Sequence, residues 1–275
     1  MLTKDAVVSA AKAAPHFIAA ALPFIILSFL VLSNGPATGN SSSLDAAIRS
    51  IPPPHPTIVP NSNAGLKITT RARVGYDVSV LNAVREMGLV LDHFDSWIAQ
   101  HPGTALERVR FMSVTMQQNV ATTALFIRKT NPKIDEKTAW REAAAFVHFS
   151  AKYGVPSALA TAVAKAESTF DPNALSSKGA SGVMQVMWKF HSGLLSSNGI
   201  QPTSASNPLS DPEKAIEAGC LILSRYMRAG GSVQLAMERY YGSSSISYLR
   251  KVNRNIASIM NHHVQLTGKP QYRDI

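Results

Sequence analysis

The sequence predicts a mostly α-helical protein, and three features carry that prediction. From about residue 80 to about residue 260, apolar residues recur at intervals of three and four, the repeat of a helix buried on one face. No alternating run of apolar and polar residues is long enough to argue a strand. Breakers such as Pro102-Gly103 divide the repeat into segments of ordinary helix length.

The first 66 residues stand outside this pattern. Phe17 to Leu32 carries no charge and is nearly all apolar. With Ala13 to His16 added, it approaches the length needed to cross a hydrocarbon core. Lys4 and Lys12 precede it, and no Lys or Arg follows until Arg49. Read by the positive-inside rule, residues 1–33 form a membrane anchor with a cytoplasmic N-terminus and the remaining chain outside. The rival is a cleaved signal segment ending at Ser33-Asn34-Gly35 or Ala37-Thr38-Gly39. Pro36 would follow the first cut and suits it poorly, so the anchor is favoured. Residues 34–66 are rich in Pro, Ser and Asn, a linker composition that builds no packed core.

Residues 67–134 read as a helical hairpin. Val80, Val84, Met87, Leu91, Phe94 and Ile98 form one seam at heptad spacing. After Pro102-Gly103, Leu106, Val109, Met112, Met116, Val120 and Ile127 continue at helical spacing. The seam is too short for a coiled coil, so it is expected to pack on the following domain rather than to self-associate. That domain, residues 135–265, shows three amphipathic helices. One carries Ile216, Gly219, Cys220, Leu223 and Met227, a second Val233, Ala236, Met237 and Tyr240, and a third Leu249, Val252, Ile256 and Ile259.

Composition narrows the function. The net charge is +10, from 27 basic and 17 acidic residues, spread along the chain with a mild rise toward the C-terminus. No nucleic-acid-binding motif accompanies it, so no nucleic acid is expected, and an anionic polymer fits as a partner. Cys220 is the only cysteine, which excludes an internal disulfide and a cysteine-based metal site. His262-His263 lacks partners at metal-ligand spacing, and His148 reads as a packed helix residue. No metal or other cofactor is expected. A nucleophile elbow and a phosphate loop are both missing from the sequence.

One carboxyl stands out. Leu159, Val163 and Glu167 are four residues apart, which places Glu167 on the apolar face of a helix beginning near Pro156. Asp171-Pro172 ends that helix soon afterwards. Burial and the negative pole of the helix dipole both disfavour the carboxylate, and a carboxyl that keeps its proton near neutral pH is suited to general-acid cleavage of a glycosidic bond. By periodicity alone, the reading of Glu167 as a frayed, solvated helix-end glutamate wins.

The surrounding residues go further. Glu167-Ser168-Thr169-Phe170-Asp171-Pro172-Asn173-Ala174 is followed by a short loop and then by Gly179-Ala180-Ser181-Gly182-Val183-Met184-Gln185. This resembles the lytic transglycosylases of the goose-type lysozyme superfamily, with their Glu-Ser-x-Phe-x-Pro-x-Ala and Gly-Ala-x-Gly-Leu-Met-Gln motifs. The resemblance runs from roughly Ala151 to Met260. It implies a lysozyme-like helical domain with Glu167 as the catalytic acid and base. It implies that Ser168, Met184, Gln185, Tyr240 and Tyr241 line or support the sugar site, that Gln185 bonds the glycan, and that Gly179 and Gly182 shape the loop. Ala236 to Gly242 resembles the family's Ala-Leu-x-x-Tyr-Asn-x-Gly motif, in which Tyr240 matches the tyrosine that touches the acid. Tyr241 stands where the family has Asn, Val183 where it has Leu, and Trp188 where Pro is common.

What the resemblance implies is cleavage between N-acetylmuramic acid and N-acetylglucosamine in peptidoglycan, with 1,6-anhydro-muramoyl ends. The alternatives are a hydrolytic muramidase and a wall-binding scaffold with a degenerate site. The implied setting is the periplasmic side of the inner membrane, held by the N-terminal helix (or, after signal cleavage, free in the periplasm or in a virion). An envelope-spanning machine or a phage particle is the kind of assembly such an enzyme would serve.

Overall fold

The computed structural model describes residues 75–268. The expected anchor, nearly all of the linker and the first residues of the expected hairpin lie outside them. Among the described residues, no helix is long and apolar enough to cross a membrane.

Nine α-helices account for most of the described chain. They are α1 (Val78–Glu86), α2 (Leu91–Ala99), α3 (Val114–Thr130), α4 (Glu136–Tyr153), α5 (Ser157–Glu167), α6 (Trp188–Ser197), α7 (Pro212–Gly230), α8 (Val233–Tyr241) and α9 (Ile246–Thr267). Their starts follow from local chemistry. The side chains of Asp77, Ser113, Asp135, Asp211, Ser232 and Ser245 each accept a first-turn backbone N–H. Pro212 takes the first position of α7, where no N–H is needed.

The expected hairpin is more broken than its periodicity suggests. The seam from Val80 to Ile98 is two helices, because α1 ends at Glu86 with Met87 as its cap, and Gly88 turns the chain with φ +73°. After Pro102-Gly103 comes a 3₁₀ turn, Glu107–Phe111, and only then α3. The apolar positions face inward across each break: Val80, Val84, Phe94, Ile98, Leu106, Val109, Val120 and Ile127 are all buried. A repeat of apolar residues records burial, and it does not record whether the backbone stays helical between them.

The core centres on α4, which packs against α3 on one side and α7 on the other. Trp140 and Phe146 on α4 are fully buried, and Phe94 of α2 meets Trp140 at 5.0 Å between ring centroids. Residues 75–134 and 135–268 thus share one apolar core. Helix α9 lies along α5 and α3, with Asn255 Nδ2 donating to the Ala162 carbonyl. Cys220 is buried in α7, its Sγ 3.9 Å from Ser150 Oγ, and burial pushes its thiol up to about 12. Between α5 and α6 lies a loop holding the antiparallel pair β1 (Ala180–Ser181) and β2 (Val186–Met187). Two-residue strands are too short to leave a periodic signal.

Candidate active site

Helix α5 begins at Ser157, with Pro156 just outside, and ends at Glu167. Leu159 and Val163 are buried, so the four-residue spacing does bring Glu167 to the packed face. The residue keeps some contact with solvent while its carboxyl lies deep among neighbouring atoms. Burial holds this carboxyl above the usual range. Two groups partly oppose that shift: the Tyr248 hydroxyl, which donates to Glu167 Oε1 at 2.6 Å, and the nearby Lys251 ammonium.

The helix stops abruptly. Thr169 and Phe170 both take positive φ, +56° and +66°, and Gln185 across the loop takes +47°. Each such non-glycine residue costs roughly 1–3 kcal/mol, and this strain tends to collect where function demands a particular backbone path. The strained turn is held from several sides. Phe170 is fully buried edge-on against Phe126 and Phe146. Asn131 Nδ2 donates to the Thr169 carbonyl at 3.0 Å. Lys251 Nζ donates to the Ala166 carbonyl at 2.6 Å, a cation at the negative end of α5.

The residues singled out from sequence fall into distinct positions. Ser168 Oγ donates to the Val183 carbonyl at 2.7 Å and accepts the Asp171 N–H, so it joins the end of α5 to the loop. Gln185 turns its Nε2 inward to the carbonyls of Ala174 and Gly182, at 2.9 and 3.0 Å. Those donors brace the loop, whereas a glycan contact was expected of them. Met184 is fully buried against Gly219, where any Cβ would meet the Met184 side chain. It packs the core and does not line a sugar groove. Gly182, at φ +73°, sits where a Cβ would run into the Leu209 carbonyl oxygen, so glycine is required there on two grounds. Gly179, at φ +85°, has open space around it and shapes only the turn.

The tyrosines differ most from expectation. Tyr240 was expected to touch Glu167, but its hydroxyl donates to the Met184 carbonyl at 2.8 Å. The phenol that does reach the acid is Tyr248, in the first turn of α9 and buried. Tyr241 stacks on Tyr248, with centroids 4.3 Å apart and the rings 19° from parallel. Tyr248 and Lys251 are the site residues that the sequence reading missed. Their signal was present: Tyr248 lies four residues before Val252 on the same apolar stripe, although Leu249 drew the eye. Trp188, at the start of α6, is partly buried against the core. His148 is half-buried beside Phe149, while His263 Nδ1 lies 3.0 Å from Thr122 Oγ1 and His262 rests near Phe126.

Other carboxyls are occupied elsewhere. Asp211 pairs with Arg141 at 2.9 Å, Glu213 accepts the Ala105 N–H, and Glu217 accepts from Lys152 and Tyr153. All three sit on the side of α7 that meets α4 and its neighbours. Asp171 Oδ1 accepts the Asn173 N–H within its own turn.

A buried carboxyl sits at a helix end, with a phenol donating to it and a strained loop bonded to the same helix end. Comparison with known proteins finds a family likeness for the domain that holds this site. Residues 145–257 match the family described as Transglycosylase SLT domain, so the chain carries a lytic transglycosylase-like domain. A likeness was also found to the crystal structure of the 70 kDa soluble lytic transglycosylase Slt70 from Escherichia coli, at 18% identity and a TM-score of 0.37. It covers 60% of this chain and 32% of that one, about a third of the Slt70 length.

Proposed function

We propose that this protein is a peptidoglycan lytic transglycosylase with a lysozyme-like catalytic domain. It would cleave the bond between N-acetylmuramic acid and N-acetylglucosamine and leave 1,6-anhydro-muramoyl ends. The observation that carries the reading is the setting of Glu167: a buried carboxyl that favours its proton, with Tyr248 on one oxygen and no carboxylate among the groups that perturb it.

That last feature bears on the reaction. Ordinary glycosidases place two carboxyl groups across the scissile bond. The carboxyls of Asp211, Glu213 and Glu217 are bonded toward α4 and the 3₁₀ region. With one carboxyl, Glu167 protonates the leaving oxygen and then takes the proton from the C6 hydroxyl of the same muramoyl ring. That hydroxyl closes on the anomeric carbon from within the ring, at high effective concentration, and no water is consumed.

Digestion of cell wall in oxygen-18 water tests this directly. The expected products are unlabelled and one water lighter than hydrolytic muropeptides. Labelled reducing ends would make the protein a hydrolytic muramidase, and no release at all would make it a scaffold.

The setting proposed with this activity is the outer face of the inner membrane, with residues 1–33 as the tether and the SLT-like domain in the periplasm. The uncharged run after Lys12 supports it. The full-length protein should then fractionate with inner membrane and resist salt extraction. A mature N-terminus near Pro36 or Asn40 would show a cleaved export form instead. A wall-opening enzyme held in this way is suited to an envelope-spanning machine or a phage particle.

A further inference from the structure

Two adjacent tyrosines at the end of α8 do different work. Tyr240 is committed through its hydroxyl to the Met184 carbonyl, which ties α8 to the loop. Tyr241, one residue on, is the last residue of its helix. Gly242 then takes φ +87°, and the chain turns back into α9 with Ser245 as its cap. This corner lays the Tyr241 ring flat on Tyr248, with centroids 4.3 Å apart and an interplanar angle of 19°. Tyr248 is in turn the residue whose hydroxyl donates to Glu167 at 2.6 Å.

We infer that Tyr241 is a positioning residue that acts through Tyr248 on the Glu167 carboxyl. The inference rests on the reading of Glu167 as the acid. A tyrosine phenol sits at the end of two rotatable bonds, and its aim is only as good as the packing on its ring. Tyr248 is 7% exposed, so the core holds it and Tyr241 covers one of its faces. Without that cover, the ring gains room to turn, and the hydrogen bond to Glu167 loses its fixed geometry. The stack needs an aromatic ring at 241. An Asn or Ala there cannot cover the face of Tyr248.

The test compares Tyr241→Phe, Tyr241→Ala and Tyr248→Phe in the full-length protein. The readouts are turnover on cell wall and titration of carboxyl-labelled Glu167, assigned with Glu167→Gln. Tyr241→Phe keeps the ring, so it should lose far less turnover than Tyr241→Ala and should hold the Glu167 titration nearer to that of the wild type. Tyr241→Ala should lose roughly tenfold to a hundredfold in kcat with KM little changed. Its Glu167 titration should move toward that of Tyr248→Phe. Should Tyr241→Ala fail to fold, Tyr241→Leu replaces it with the same expectation.

An effect on KM alone would overturn the inference and make Tyr241 a substrate contact. A loss in Tyr241→Phe as large as in Tyr241→Ala would overturn it in favour of the hydroxyl. An unmoved Glu167 titration in Tyr241→Ala would also overturn it. The titration needs no substrate, so it tests the Tyr241–Tyr248–Glu167 chain even if Glu167→Gln keeps full activity and the functional reading itself fails.

Discussion

Burial drives Glu142 and Glu167 in the same direction, as it does Glu213, but the surroundings of the first two differ sharply. Glu142, in the middle of α4, is fully buried, and neither of its oxygens has a hydrogen-bond partner. Its carboxyl lies well above the usual range, first because of burial and then because of the Asp171 carboxylate, with Arg141 opposing. Glu167 is raised too, and for the same leading reason. Around Glu167, however, there is an exit to solvent, a phenol on one oxygen and a strained loop fastened to the same helix end. A perturbed carboxyl therefore does not mark an active site by itself. The organised polar surroundings separate the proposed acid from a buried core carboxyl.

The sharpest way to break this comparison is to make both carboxyls into amides. Glu167→Gln should keep the fold, because an amide fills the same space, and should lose roughly 10²–10⁴ in turnover, the usual worth of a positioned acid and base. Glu142→Gln should stay within about threefold of wild type on the same substrate, as befits a group sealed from it. Wall-clearing rates of the two purified variants decide the matter, and equal losses would erase the distinction drawn here.

Next in size is the loop that faces the acid. Gly182→Ala combines a left-handed backbone with a clash against the Leu209 carbonyl, and should cost about 3 kcal/mol or more. Gly179→Ala meets only the backbone penalty, about 1 kcal/mol. Urea midpoints of the two variants measure the difference, and a Gly182→Ala protein as stable as Gly179→Ala would show that the loop yields easily.

A smaller effect concerns proton affinity at Glu167. Removing the phenol by Tyr248→Phe takes away a hydrogen bond that favours the carboxylate, so the raised Glu167 titration should rise further. Activity that needs the protonated acid falls as pH climbs through that titration. The alkaline limb of the pH–rate profile should therefore shift to higher pH in Tyr248→Phe, with turnover at the optimum about tenfold lower. A shift to lower pH would mean that water entering the gap outweighs the lost donor.

The smallest effect belongs to Glu142 and is seen only in stability. A carboxyl whose folded pKa exceeds its unfolded value favours the folded state fully below the unfolded value, and that contribution drains away as pH rises toward the folded one. Glu142 is such a group. Glu142→Gln cannot ionise, so its stability relative to wild type should improve between pH 4 and pH 8. Denaturation at both pH values checks this, and a constant difference would mean that Glu142 is not holding its proton.

Much of the architecture was legible beforehand. Val233, Ala236, Met237 and Tyr240 lie on one helix, as their spacing implied, and the stripe from Val252 to Ile259 marks the buried face of another. Glu167 was placed on its helix face by the four-residue interval from Val163. The two-residue strands, the break at Gly88 and the partners of the loop polar groups were not legible. Tyr240 illustrates why. Position in a motif suggested a bond to the acid, but which of three nearby phenols arrives there depends on how α8 and α9 meet at Gly242.

Six of the nine described helices start where local sequence alone can specify it, since a capping side chain and its N–H partner lie within three residues of each other. The sequence also determined which faces would be buried, because the helical repeat is written in neighbouring residues. The motif from Glu167 to Gln185 pointed to the proposed acid and to the loop beside it. Only the tertiary structure decided that Tyr248 carries the hydrogen bond to Glu167, that Gln185 and Met184 brace and pack the loop, and that Tyr241 lies on Tyr248. Those pairings join residues far apart in the chain or across a corner. Their geometry is set by how whole helices pack, which no local spacing encodes.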